Sequence, residues 1–195
     1  MSRTSRRSRW QPAPKPRWAV TEAVVNDSDI TSARPWMPGY GILPADQGTG
    51  LLPWFWAERR LADSHEYWVC TVRPDRRPHA MPVWGVWLRR ALWFSSARAS
   101  RKYRNLAANP ACTVTTDDPH QPVVLDGDAS VVTDLDEIAD FLAALNAKYA
   151  TSFGPDFLDP ALNATFRVTP ASVFALDDSD FTGSPTRWTF PSRDS

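Results

Sequence analysis

The residues best placed to do chemistry form one run, Ser95-Ser96-Ala97-Arg98-Ala99-Ser100-Arg101-Lys102-Tyr103-Arg104-Asn105. A strand-like Leu92-Trp93-Phe94 ends in two hydroxyls, and a helix pattern starts at once with cations in its first turn. Ser100 suits its N-cap, Tyr103 and Leu106 its buried side, and Asn109-Pro110 its end. Cations at a helix N-terminus oppose the helix dipole, at about 0.3–1 kcal/mol each when exposed. A bound anion reverses that sign, because it meets free backbone N–H groups, Ser hydroxyls and Arg/Lys charge together. The run therefore fits a phosphate site, and it fits equally a solvated basic face.

A second signal is His79 to Leu88 (HAMPVWGVWL), which predicts one long strand. His79, Met81, Val83, Gly85 and Trp87 alternate with Ala80, Pro82, Trp84, Val86 and Leu88, and both sets are largely apolar. Such a strand is covered on both sides, by core and by a partner subunit or ligand. Pro82 removes a ladder donor and leaves an opening where a planar ring could lie. Plain core explains the same pattern. His79 is a weak general-base candidate, since a strand-end histidine with a satisfied hydrogen bond is the commoner case.

Other chemistries are pruned by what the sequence lacks. Gly39-x-Gly41 and Gly48-x-Gly50 fail the dinucleotide fingerprint, with Pro53 where the third glycine belongs. No Walker loop, Gly-x-Ser-x-Gly elbow or paired histidines occur, and His65, His79 and His120 are scattered. No metal site is expected. Asp126 and Asp128 alternate on a strand, while Asp117-Asp118 and Asp177-Asp178 suit turns. Cys70 and Cys112 sit in apolar strand patterns and read as inert buried thiols.

These residues need a scaffold. Trp54, Ala57 and Leu61 recur at helical spacing after Pro53. Tyr67 to Arg73 is strand-like and ends in the turn Pro74-Asp75-Arg76-Arg77-Pro78. With His79–Leu88 and Ala91–Ser95 it predicts an antiparallel meander. Cys112–Thr116 and Val123–Thr133 predict two more strands. Leu135–Tyr149 predicts a helix, with Asp134 and Glu137 as a capping box and Ile138, Phe141, Leu142, Leu145 and Tyr149 as its apolar stripe. Phe166–Leu176 contains Pro170 and predicts an edge or bulged strand. Arg187-Trp188-Thr189-Phe190 could close the sheet or supply Arg187 to a site. The sum is mainly β with peripheral helices, a small closed or partly open barrel.

At 195 residues, 43% of them hydrophobic and ten of them Trp, the chain suits one domain with an appended arm. Residues 1–50 carry six prolines and no sustained period, and predict a Pro/Arg-rich arm that is largely flexible, with Trp18, Trp36, Met37 and Tyr40 as possible pins. Residues 51–195 hold the domain. Basic and acidic residues balance at 22 each, yet residues 1–18 hold six cations and no acid, so the body is mildly acidic. No secretory signal or membrane span is evident, and a cytoplasmic protein is expected.

The order of the pieces carries a resemblance. Tyr67-Trp68-Val69-Cys70-Thr71-Val72-Arg73-Pro74-Asp75, Arg77-Pro78-His79-Ala80-Met81-Pro82-Val83-Trp84, Leu92-Trp93-Phe94-Ser95-Ser96 and Ser100-Arg101-Lys102-Tyr103-Arg104-Asn105-Leu106 together resemble the pyridoxamine 5'-phosphate oxidase-like family. More narrowly they resemble its flavin/deazaflavin oxidoreductase branch. The likeness spans roughly residues 54–190. It implies a split β-barrel homodimer with two cofactor sites at the subunit interface. The cofactor phosphate would sit on Ser95, Ser96, Arg98, Arg101 and Lys102, near Ser100 and Asn105. The ring would lie along Met81, Pro82, Val83 and Trp84. The family's Pro-Asp-Gly-Arg-Pro turn has Arg76 in place of Gly, a strain of ~1–2 kcal/mol if that residue is left-handed. The implied chemistry is hydride transfer by the cofactor, without a protein nucleophile. The branch favours the deazaflavin F420, whose anionic glutamyl tail the basic cluster could also accept, acting on a small unsaturated or carbonyl substrate. An FMN-dependent oxidase or reductase is the alternative, and a cofactor carrier or nucleic-acid-associated dimer using the basic tail is a third reading.

Overall fold

The structure, a computed structural model, describes residues 29–191. The basic leader 1–18, with Trp18, lies outside the described residues. The elements run β1 (Thr31–Ala33), α1 (Trp54–Asp63), β2 (Tyr67–Val72), β3 (Pro78–Val83), β4 (Gly85–Leu88), β5 (Ala91–Ala97), α2 (Arg101–Ala108), β6 (Ala111–Thr116), β7 (Val123–Val132), α3 (Leu135–Tyr149), β8 (Asn163–Ala175) and β9 (Thr186–Thr189). The strands form one antiparallel sheet in the order β1-β9-β8-β7-β6-β2-β3, and β8 also pairs with β5, which carries β4. The mainly β architecture with peripheral helices is as expected.

The expected single strand 79–88 is two strands divided at Trp84. β3 pairs with β2, and β4 pairs with β5, so the chain must turn from one ladder to the other. Tyr149 fixes the break. Its hydroxyl accepts from Gly85 N at 2.9 Å and lies 3.0 Å from Gly85 O and 2.6 Å from His65 O. The ladders do not close into a ring, because only the covalent chain at Trp84 joins β3 to β4.

β8 is central rather than an edge strand. Its first half pairs with β5 and its second half with β9, while β7 runs along its other side. Pro170 is accommodated by a bulge between Asp126 and Gly127. There the backbones approach so closely that a Cβ on Gly127 would lie 2.1 Å from Thr169 O.

Alternation along β5 makes two cores. Leu92 and Phe94 face the interior shared with Val69, Val114, Leu125 and Val168. Ala91 and Trp93 face the α3 stripe of Ile138, Phe141, Leu142, Leu145 and Tyr149. The α1 stripe buries Trp54, Ala57 and Leu61 as its spacing predicts. Asp134 caps α3 by accepting from Asp136 N and Glu137 N. The Glu137 carboxylate turns instead to Arg89 and Arg167, each at 3.5 Å.

The segment 31–50, assigned to the arm by its composition, lies along the sheet edge. Arg34 donates to the carbonyls of Pro185, Gly183, Pro44 and Gln47, and Thr49 donates N–H and O–H to Asp180 at 2.6 Å. Trp36 is exposed, and Tyr40 reaches Phe181 with ring centroids 5.9 Å apart.

Candidate functional site

β5, α2, β2 and β3 place the basic run. Ser100 caps α2 by accepting from Tyr103 N at 3.1 Å, and its Oγ lies 2.9 Å from Ser96 Oγ. Two hydroxyls therefore flank the first turn, where Arg101 is exposed and Lys102 is buried, with 7% of its surface accessible. Lys102 Nζ lies 5.4 Å over the Phe94 ring. No carboxylate and no hydrogen-bond acceptor engages it among the described residues. Burial pulls its pKa down to about 8. A largely buried cation without a counter-charge is costly unless an anion joins it, and this unpaired lysine, its stem covered and its ammonium beside a helix N-terminus, fits a phosphate group.

Register brings β3 to the same place. Thr71, Val69 and Tyr67 of β2, all buried, pair with His79, Met81 and Val83. These residues share one face, and α2 packs on it: Asn105 Nδ2 donates to Thr71 Oγ1 at 2.9 Å, and that hydroxyl donates to His79 O at 3.3 Å. Ala80 and Pro82 point to the opposite face. β3 ends the sheet, so its outer backbone edge is unpaired, which suits Pro78 and Pro82. Within this chain β3 is covered on one side only. Met81 is 48% and Trp84 40% exposed, near the half-exposed Trp68.

His79 stands among cations. Its Nδ1 is buried and unpartnered, as is Nε of Arg73 in the turn after β2. Burial, then the charges of Arg73, Arg101 and Lys102, lower its pKa. The cluster thus includes Arg73 and His79, which the sequence did not mark as anion ligands.

Other expected site residues are spent elsewhere. Arg98 donates Nε to Pro160 O at 2.7 Å and Nη1 to Tyr103 OH at 3.0 Å, so it braces the loop. Asn105 is fully buried and ties α2 to β2 rather than facing a ligand. Ser95 Oγ lies 3.4 Å from Ala164 O. Arg187 pairs opposite Phe174 and donates to Ser172 Oγ at 3.2 Å, whereas Ser95 pairs opposite Thr165. At ~3.3 Å per residue along β8, the two positions lie about 30 Å apart. Arg187 does not join the cluster within this chain.

At the far end of β3 the Trp84 ring stacks on Tyr149, with centroids 4.4 Å apart and planes at 9°. Beside it Lys148 Nζ donates to Tyr67 OH at 2.7 Å, and burial lowers the Lys148 pKa to about 8. The α3 stripe read in sequence as core alone thus also shapes this end of β3. Burial raises the thiol pKa of Cys70 and pushes Cys112 up to about 12, which leaves both thiols protonated. Among the described residues no helix is long and apolar enough to cross a membrane.

The family model for pyridoxamine 5'-phosphate oxidase matches residues 57–177. An F420 reductase of known structure is 28% identical, with a TM-score of 0.51, over 60% of this chain and 94% of that one. A conserved hypothetical protein from Mycobacterium tuberculosis shares the fold at 16% identity and a TM-score of 0.56, over 63% of this chain and 83% of that one. So does a protein described as a putative pyridoxamine 5'-phosphate oxidase from Listeria innocua, at 16% identity and a TM-score of 0.50, over 64% and 94%. No curated protein matches the sequence.

Proposed function

The chain belongs to the pyridoxamine 5'-phosphate oxidase family, and from that premise we propose that it is an oxidoreductase that binds the deazaflavin F420 across a homodimer interface. The observation that carries this reading is Lys102, a side chain with 7% of its surface accessible and no counter-ion among the described residues, at the N-terminus of α2. The cofactor phosphate sits on Lys102 and Arg101 and on the Ser96 and Ser100 hydroxyls. The ring lies along the open edge of β3, against the Met81 and Val83 side chains and towards Trp84. Pro82 contributes its backbone only, because its side chain faces away from α2. When bound, the cofactor supplies hydride transfer to or from a small unsaturated or carbonyl substrate. The protein fixes the ring and excludes water.

The 28% identity to an F420 reductase supports the deazaflavin. FMN is the second reading, supported by the family as a whole. The homodimer is supported by the bare β3 edge with its exposed Met81, and by the exposed Trp68 of β2 and Trp84 just after β3. A partner subunit covering that edge would complete the site, and Arg187 reaches a cofactor only from such a partner. The test is a hydride-transfer assay that follows oxidation of reduced F420 against a panel of enones and aldehydes. Turnover by wild type, lost in Lys102→Ala, is the expected result. Turnover with reduced FMN alone moves the activity to the second reading, and no turnover with either overturns the assignment as an enzyme.

A further inference from the structure

We propose that Arg73 and His79 extend the α2 cradle into a proton-coupled polyanion site, in which a dianionic group binds together with a proton taken up by the His79 ring. The inference rests on the phosphate reading above and adds a ligand charge and a pH response to it. Four basic groups gather here: Arg73 follows β2 in the β2–β3 turn, His79 lies on β3, and Arg101 and Lys102 open α2, all three cations acting on the His79 ring. His79 Nδ1 and Arg73 Nε are buried without a partner, and Lys102 is more than nine-tenths buried without one. The neutral groups packed beside His79 are Thr71 and Asn105, and they spend their bonds on each other and on the His79 carbonyl. The charges acting on the ring are Arg73, Arg101 and Lys102, all positive.

In the ligand-free protein burial, and then these cations, lower the pKa of the imidazole. An anion among them cancels their field and offers Nδ1 an acceptor, so the protonated ring becomes the stable form. Linkage is reciprocal: if the anion favours the proton, the proton tightens the anion. A phosphate monoester dianion, or a phosphodiester with nearby carboxylates, has the charge this site requires.

The experiment uses the full chain and sulfate, a dianion that does not itself titrate near neutral pH. Histidine ring resonances are followed by NMR from pH 5 to 7, below the range in which Lys102 titrates, with His65 and His120 as internal references. His79 is identified by the resonance missing in His79→Gln. Saturating sulfate should raise the His79 midpoint by about one pH unit, which is about tenfold in sulfate affinity across its titration. Lys102→Met should abolish the sulfate response and raise the midpoint in sulfate-free buffer. His79→Gln should bind sulfate with an affinity independent of pH over that range. Sulfate that shifts the Arg101 and Lys102 amides of α2 while leaving the His79 midpoint unchanged overturns the proton coupling and leaves the phosphate reading intact. Sulfate that moves neither overturns both.

Discussion

Replacing Lys102 by Met should stabilise the ligand-free protein while abolishing cofactor binding. Burial brings the Lys102 pKa from its ordinary 10.5 to about 8. That depression corresponds to about 3 kcal/mol of destabilisation while the side chain is charged. The Phe94 ring under the ammonium offsets about 1 kcal/mol. Met fills nearly the same volume without a charge, so the net gain at pH 7 is about 2 kcal/mol. In a domain of this size that is roughly 4–8 °C in the unfolding midpoint. The sign against pH follows from linkage. Below pH 8 both folded and unfolded chains hold the proton, and the full cost is present. From about 8 to 10.5 the folded chain has lost the proton and the unfolded chain has not, so wild-type stability rises with pH. The gap between wild type and variant should therefore close across that interval. Thermal unfolding of both proteins from pH 7 to 10.5 reads the gap directly. Added F420 at a hundred times its Kd should raise wild-type stability by about 2.7 kcal/mol and leave the variant unmoved. A variant less stable than wild type at pH 7, or a gap independent of pH, would refute the idea of a destabilising, unpaired Lys102.

Other perturbations probe the scaffold and the ring site. Arg76 adopts φ +66° in the β2–β3 turn, so Arg76→Gly should gain about 1 kcal/mol in chemical denaturation without changing cofactor affinity. Ala150 ends α3 with φ +52°, and Ala150→Gly should raise stability by about 0.5–1 kcal/mol in the same assay. Tyr149→Phe keeps the ring against Trp84 but strands the Gly85 backbone; it should cost about 1–3 kcal/mol in stability. Trp84→Ala should weaken cofactor binding at least several-fold in a direct titration, and should cost about 1–2 kcal/mol in stability through the lost stack on Tyr149.

Much of the scaffold was legible because local pattern and tertiary role agree. The Trp54–Ala57–Leu61 and Ile138–Tyr149 stripes are buried as their spacing requires, whereas the left-handed Arg76 was suggested only by the glycine that the resembling family carries in this turn. The break at Trp84 was not legible. It depends on a hydroxyl from Tyr149, far along the chain, taking backbone groups of Gly85. β1 has three residues, all exposed, and no period to detect, while Arg34 holds its neighbourhood by reaching four carbonyls. In the site, Ser96, Ser100, Arg101 and Lys102 were marked by their position before a helix, and the structure keeps them together. Arg98 carries the same charge but is drawn off by Pro160 and Tyr103. Arg73 and His79 enter the cluster through strand register, which no local motif encodes.

The most direct test is a titration of the purified protein with F420 and with FMN, following quenching of its ten tryptophans. The expected result is saturable binding with preference for F420, and loss of that binding in both Arg101→Ala and Lys102→Ala. Saturable binding that both variants retain would contradict the phosphate cradle at α2, and binding of neither cofactor by wild type would contradict the site itself.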